Sequence, residues 1–205
     1  EESDTILYET RKTWDKFWLI DPLDGTKQFV KNEDEFTVNI ALIVNDSPVE
    51  GVVFAPALGV LYYGNQIQGA ERIQVDKNLI PEKISCLKSD TIRIVASRSH
   101  LNESTQKYIQ SITSVYNRTS IVHVGSSLKF CLIASGEADI YPRIGSINEW
   151  DIAAGHAVLN AAGGCVIKID TGTDIQYNSQ NLLTPDFLAL SDKDIFKNID
   201  RLLKK

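Results

Sequence analysis

Asp21-Pro22-Leu23-Asp24-Gly25-Thr26 decides how this chain is read, and it follows directly on the apolar run Phe17-Trp18-Leu19-Ile20. Two carboxylates, a proline that stiffens the turn, a glycine that lets backbone N–H groups approach an anion, and a hydroxyl stand within six residues. A metal and phosphate site has that composition. An ordinary strand-ending turn has it too, because Asp, Pro and Gly are common turn formers. The surrounding chain decides between them.

Upstream, residues 4–16 are polar without sustained periodicity and read as a loop, and 16–20 reads as a short buried strand delivering the chain to Asp21. Downstream, 36–44, 49–54 and 60–63 are strand candidates, with a turn signal at Asn45-Asp46-Ser47-Pro48. Short connections make these an antiparallel meander. After about residue 90 the pattern alternates: strand at 92–96, helix at 103–112, strand at 120–124, helix at 127–135 closed by Gly136, and a short strand at 138–141. A helix from Asp151 to 162 ends at Gly163-Gly164; strands at 165–169 and 187–190 and a closing helix at 195–203 follow. The expectation is an α/β layered fold forming one compact unit. Residues 1–88 would be a metal-binding half with an antiparallel sheet, and 89–205 an α/β half.

Composition bounds the function. The 205 residues carry a net charge of −6 with scattered basic residues, which argues against a nucleic-acid partner. Apolar runs such as Ile40-Ala41-Leu42-Ile43-Val44 are too short to span a bilayer, and the chain reads as soluble. Cys86, Cys131 and Cys165 are widely separated, lack metal-ligand spacing and read as buried thiols of a reducing cytoplasm. The chain contains no methionine and opens on Glu1-Glu2, so a missing N-terminal part is expected.

Trp150-Asp151-Ile152-Ala153-Ala154-Gly155-His156 supplies a possible partner for the opening motif. Asp151 stands where a helix N-cap belongs, and capping alone would account for it. Glu1 and Glu2 read equally well as solvated terminal acids. Taken together, Asp21, Asp24, Asp151 and a Glu form an oxygen-only set that suits Mg²⁺ and disfavours zinc. Like-charge repulsion would make such a cluster costly without cations. Two Mg²⁺ ions could bridge a phosphate, activate a water and stabilise the leaving oxygen.

Asp21-Pro-Leu-Asp-Gly-Thr26 with Trp150-Asp151-Ile-Ala-Ala-Gly155 resembles the paired signatures of the inositol monophosphatase superfamily of Mg²⁺-dependent, lithium-sensitive phosphatases. Glu1 lies twenty positions before Asp21, the place of the family's metal-binding glutamate. Within the superfamily the likeness is greatest to the 3′(2′),5′-bisphosphate nucleotidases. It runs through Asp24-Gly-Thr-Lys-Gln-Phe29, Phe36-Thr-Val-Asn-Ile-Ala-Leu42, Ser97-Arg-Ser-His100, Gly125-Ser-Ser-Leu-Lys-Phe-Cys131 and Tyr141-Pro-Arg143.

The resemblance implies an αβαβα sandwich, with the N-terminal helical layer missing from this chain, and two or more Mg²⁺ ions held by Glu1, Asp21, Asp24, Asp151 and the Leu23 carbonyl. Gly25 and Thr26 would hold the scissile phosphate, and Thr26 would orient the attacking water with an acid from the missing layer; Glu1, Asp21 and Thr26 are thus the implied catalytic group. His100, Ser126, Lys129 and Arg143 would contact the second phosphate and the adenosine. Taken singly, His100 reads as a cap, Lys129 as a solvated residue and Arg143 as an ion-pair partner of Glu149. The implied reaction is hydrolysis of the 3′-phosphate of adenosine 3′,5′-bisphosphate to AMP. A role in sulfur assimilation, 3′-phosphoadenylyl sulfate as second substrate and association with the inner membrane face are further implications. The surface left by the missing helices would be open to self-association. Two alternatives stand beside this: an inositol- or fructose-phosphate phosphatase, and a non-catalytic metal- or nucleotide-binding fragment.

Overall fold

The computed structural model describes residues 6–77, 79–98 and 101–203. Six strands pair in chain order, each antiparallel to the last: β1 (Lys16–Asp24), β2 (Thr37–Val44), β3 (Ser47–Ala55), β4 (Val60–Asn65), β5 (Gly69–Gln74) and β6 (Pro81–Ile84). Asn45 and Asp46 form a two-residue hairpin loop with φ of 48° and 58°, the geometry whose twist matches that of the strands it joins. β5 and β6 were not expected from the sequence, because neither shows the alternation of buried and exposed residues that marks a half-buried strand.

The second sheet has the order β10 (Cys165–Lys168), β11 (Phe187–Leu190), β9 (Ile140–Arg143), β7 (Ile92–Ser97), β8 (Thr119–Val124). β7 pairs in parallel with β8 and β9, whereas β9, β11 and β10 pair antiparallel. Helix α3 (Glu103–Val115) connects β7 to β8, and α4 (Leu128–Ala134) connects β8 to β9. α4 and α5 (Glu149–Ala161) lie between the two sheets; α3 and α6 (Lys193–Leu203) cover the far side of the second. The described layers are therefore sheet, helices, sheet, helices. No helix among the described residues is long and apolar enough to cross a membrane.

Helix α5 is buried from Ile152 to Leu159, which its small and apolar sequence permits. Its approach to the first sheet is close: a Cβ on Gly51 would lie 2.5 Å from the Ala154 carbonyl oxygen, and one on Gly64 2.5 Å from the Val158 Cα. His156 lies in this core with Nδ1 2.9 Å from the Tyr177 hydroxyl, and burial pulls its pKa down to about 3.

Three sequence expectations need correction. Strand β1 is longer than residues 16–20 and is not buried on both faces. It is the sheet's edge strand, one side lies toward α5, and Trp18 and Ile20 on the other are 56% and 55% exposed. The 4–16 segment includes a short helix, α1 (Tyr8–Arg11). Its Arg11 is buried by contacts no local pattern announces, donating to Asn178 Oδ1 at 2.7 Å and the Gln180 carbonyl at 2.8 Å. Among the cysteines only Cys131 is fully buried; Cys86 and Cys165 are half-buried at the edges of packed elements, and all three thiols are free.

Two consequences can be measured. Gly64→Ala forces overpacking between β4 and α5 and should cost about 1–3 kcal/mol by urea denaturation. His156 is neutral in the folded chain well below its unfolded pKa of about 6.5, so the unfolded state binds more protons between pH 6.5 and 3. Its contribution is fully present above that window and is lost as pH falls, at about 1.4 kcal/mol per pH unit. Stability of the parent protein should therefore fall faster with acid than that of His156→Gln.

Candidate active site

β1 carries the chain into the site and ends inside the motif. Asp21 pairs across the ladder with Asn39 and Asp24 with Thr37, with a register shift between the two aspartates. In an uninterrupted strand residues three apart point to opposite faces. The bulge, where Pro22 needs no ladder partner, lets both carboxylates face one site. Leu23 closes the bend by donating its N–H to Asp21 Oδ1 at 3.0 Å. Gly25 follows at φ 86°, and a Cβ there would meet Ser126 Oγ at 2.9 Å, so a side chain is excluded on both counts. Thr26 then opens the short helix α2 (Thr26–Val30).

Asp151 comes from the other side, in the first turn of α5. The structure corrects its expected position: Asn148 is the N-cap and Asp151 the third helical residue, closing a capping box in which Asp151 Oδ2 accepts the Asn148 N–H at 3.0 Å. One ligand atom from each of Asp21, Asp24 and Asp151 lies within 4.8 Å of the others, with Asp21 buried and the other two half-buried. The set is all oxygen, with no imidazole or thiol, which fits a hard cation.

Asp24 and Asp151 of this cluster border a cavity of about 270 Å³ lined also by Gly25, Thr26, Ser126, Lys129, Tyr141 and Arg143. Lys129 is only 6% exposed, which excludes the solvated-residue alternative. Its ammonium donates to the Ser126 carbonyl and sits 5.2 Å from the centre of the Tyr141 ring. Burial lowers its pKa to about 8, with Asp24 working against that shift and Arg143 with it. Arg143 is not paired as its sequence neighbourhood suggested. Glu149 instead accepts the backbone N–H groups of Asn178 and Ser179, each at 2.8 Å, and Arg143 Nε donates to the Gly145 carbonyl at 3.2 Å. Ser126 borders the cavity at φ 54°, and its hydroxyl donates to the Asp24 carbonyl at 2.9 Å. It precedes the N-cap of α4, which is Ser127. Glu1 and His100 lie outside the described residues.

Sequence reasoning missed the residues that hold Asp24. Its Oδ2 accepts the Ser127 N–H at 2.8 Å, with Thr37 Oγ1 and Asn39 Nδ2 each 3.4 Å away. A signal was present: Thr37 and Asn39 continue the buried face of β2 occupied by Ala41 and Ile43, and polar residues on such a face need buried partners. Glu35 was missed as well. It takes the Gly125 N–H at 2.7 Å and Arg98 at 2.8 Å, steadying the loop that leads to Ser126.

A profile of the inositol monophosphatase family matches residues 1–200. The chain belongs to the inositol monophosphatase family. It is 44% identical over 187 residues to the 3′(2′),5′-bisphosphate nucleotidase CysQ of Escherichia coli strain K12, covering 91% of this chain and 72% of that protein. To the protein of the same name from Buchnera aphidicola it is 43% identical, covering 86% and 64%. Among solved structures, CysQ from Bacteroides thetaiotaomicron matches with a TM-score of 0.86 at 39% identity, covering 92% of this chain and 74% of that one. An inositol monophosphatase from Anabaena matches with a TM-score of 0.72 at 24% identity, a likeness of fold. The family is one of metal-dependent phosphatases, and among the described residues the carboxylate cluster is a place able to hold a metal.

Lys129 gives this cavity a pH dependence. A lysine with a lowered pKa is charged below about 8 and neutral above, so anion affinity should fall as pH rises through that value. Sulfate, whose charge is constant across this range, should bind up to about tenfold more weakly at pH 9 than at pH 7. Titration calorimetry on Lys129→Met should show no such fall.

Proposed function

We propose that this chain is a Mg²⁺-dependent phosphatase that removes the 3′-phosphate of adenosine 3′,5′-bisphosphate, giving AMP and inorganic phosphate. The observation that carries the reading is the cluster of the Asp21, Asp24 and Asp151 carboxylates beside a cavity that Asp24 and Asp151 line together with Lys129 and Arg143. Three carboxylate oxygens repel a phosphate unless cations stand between them. Those three side chains, with the Leu23 carbonyl and Glu1, would hold the Mg²⁺ ions. Bound there, Mg²⁺ supplies Lewis acidity toward the phosphoryl oxygens and makes a water more acidic.

The chain's own groups do the rest. Gly25 and Thr26 receive the scissile phosphate, the missing Cβ of Gly25 allowing close approach. The Thr26 hydroxyl orients the attacking water for in-line displacement. In the same cavity Arg143 offers a planar fork and Lys129 a point charge to a second phosphate, with Ser126 beside Lys129; His100, outside the described residues, would contact the nucleoside. No nucleophilic serine or cysteine is needed. Burial holds the Cys131 thiol far from ionisation and raises the Cys86 pKa to about 12, so neither is suited to attack.

The sugar-phosphate alternative shares the carboxylate centre, so it is judged by the cationic residues of the cavity. A second anion site with two cationic side chains suits a bisphosphate better than a monophosphate. The 44% identity to a bisphosphate nucleotidase favours the same choice.

Phosphate release from adenosine 3′,5′-bisphosphate and from inositol 1-phosphate, with and without Mg²⁺, tests this directly. Faster release from the nucleotide, abolished by EDTA, is expected; faster release from inositol phosphate overturns the assignment. Nucleotide binding by calorimetry without turnover would make the chain a binding protein instead. Asp21→Asn and Asp151→Asn should each lower kcat about a thousandfold, the rate equivalent of losing several kcal/mol of charge stabilisation.

A further inference from the structure

We propose that Ser127 is a positioning residue that sets the spacing of the three carboxylates, an inference that rests on the metal-dependent reading of their cluster. Ser127 occupies the N-cap of α4, where a serine hydroxyl ordinarily accepts a backbone N–H from the first turn. It makes no such bond here. Instead its hydroxyl donates to the Asp151 carbonyl oxygen at 2.8 Å and accepts from Asn39 Nδ2 at 2.9 Å, while its backbone N–H donates to Asp24 Oδ2 at 2.8 Å. A hydroxyl has one proton to give, so the 3.2 Å separation between Oγ and the same Asp24 oxygen is the lesser contact.

The three partners lie on β1 and α5, which bring in the ligands, and on β2, which pairs with β1. Asn39 is the cross-strand partner of Asp21, Asp24 ends β1, and Asp151 starts α5. A single residue, 1% exposed, therefore ties the β1–β2 ladder and the buried helix together through its hydroxyl and the motif through its N–H. The consequence is directional. Because the Ser127 N–H holds Asp24 Oδ2, Oδ1 is the oxygen that can turn to a cation. Asp151 is restrained twice, its carboxylate by the capping box and its carbonyl by Ser127. Removing the hydroxyl loosens the Asp151 restraint and leaves the buried amide of Asn39 only its 3.4 Å contact with Asp24 Oδ2. The result is slack between ligands whose separation determines cation affinity, and outer partners of this kind typically change metal affinity 10–100-fold.

The test is Mn²⁺ binding to the metal-stripped chain, read from the EPR signal of the free ion, with thermal unfolding of the same samples measured without metal. Ser127→Ala should weaken Mn²⁺ binding about tenfold or more. Ser127→Thr, which retains the hydroxyl, should recover most of the loss. Asn39→Ala releases the hydroxyl from its other side and should weaken binding in the same direction, and it carries the test if Ser127→Ala does not fold. A Ser127→Ala protein that melts at a lower temperature yet binds Mn²⁺ as tightly as the parent overturns the proposal and leaves Ser127 a packing residue. If the unsubstituted chain binds no Mn²⁺, the metal-dependent reading itself fails and takes the proposal with it.

Discussion

The close seating of α5 on β3 and β4 is the constraint on which the other features depend. Backbone meets backbone at Gly51 and Gly64, so α5 has almost no freedom to slide or rotate without a clash. Its opposite side packs against α4 and the second sheet, where Gly155 leaves the Phe130 ring the room that a Cβ would occupy. A helix gripped from both sides delivers its first turn to a fixed place. That place is the end of β1, and Asp151 stands there because α5 cannot stand elsewhere.

Three carboxylates in one small volume oppose that packing. Two unit charges 4 Å apart repel by about 4 kcal/mol at an effective dielectric of 20, so the cluster needs donors nearby and cations within it. The chain provides the donors: Leu23 N–H on Asp21, Ser127 N–H on Asp24, Asn148 N–H on Asp151. All three are backbone groups, which bring partial positive charge without a competing side-chain cation. Lys129 donates to the Ser126 carbonyl, and burial lowers its pKa to about 8, against the pull of Asp24. The arrangement steadies the carboxylates while leaving their remaining charge for a metal.

Much of this was legible in the sequence because it is local. The Asp-Pro-x-Asp-Gly-Thr run announces a bend carrying two acids, and the strand at 36–44 shows in its apolar run. What stayed hidden depends on contacts between distant residues. Asp151 looked like an N-cap because the capping box places both Asn148 and Asp151 at a helix start, and only the backbone distinguishes first position from third. Ser127 showed only as the start of a helix at 127–135, since its partners are 24 and 88 residues away. Strands β5 and β6 hide for a different reason: they continue a sheet whose earlier strands already provide the core, so their own residues need little apolar alternation.

The origins of the cavity walls suggest how chemistry and recognition are divided. Asp21, Asp24, Gly25 and Thr26 come from one continuous segment at the end of the first sheet. Ser126, Lys129 and Arg143 come from the loop after β8, from α4 and from β9, which belong to the second sheet and its connections. Under the proposed function, substitutions at Lys129 or Arg143 would therefore change which phosphate ester fits without disturbing the bulge that orients the aspartates. Substitutions near Ser127 cannot, because that loop also holds Asp24. Ser126 and Ser127 are adjacent residues whose hydroxyls both lead back to the aspartates, one to the Asp24 carbonyl at 2.9 Å and the other to the helix that carries Asp151, so this loop joins the two sides of the site.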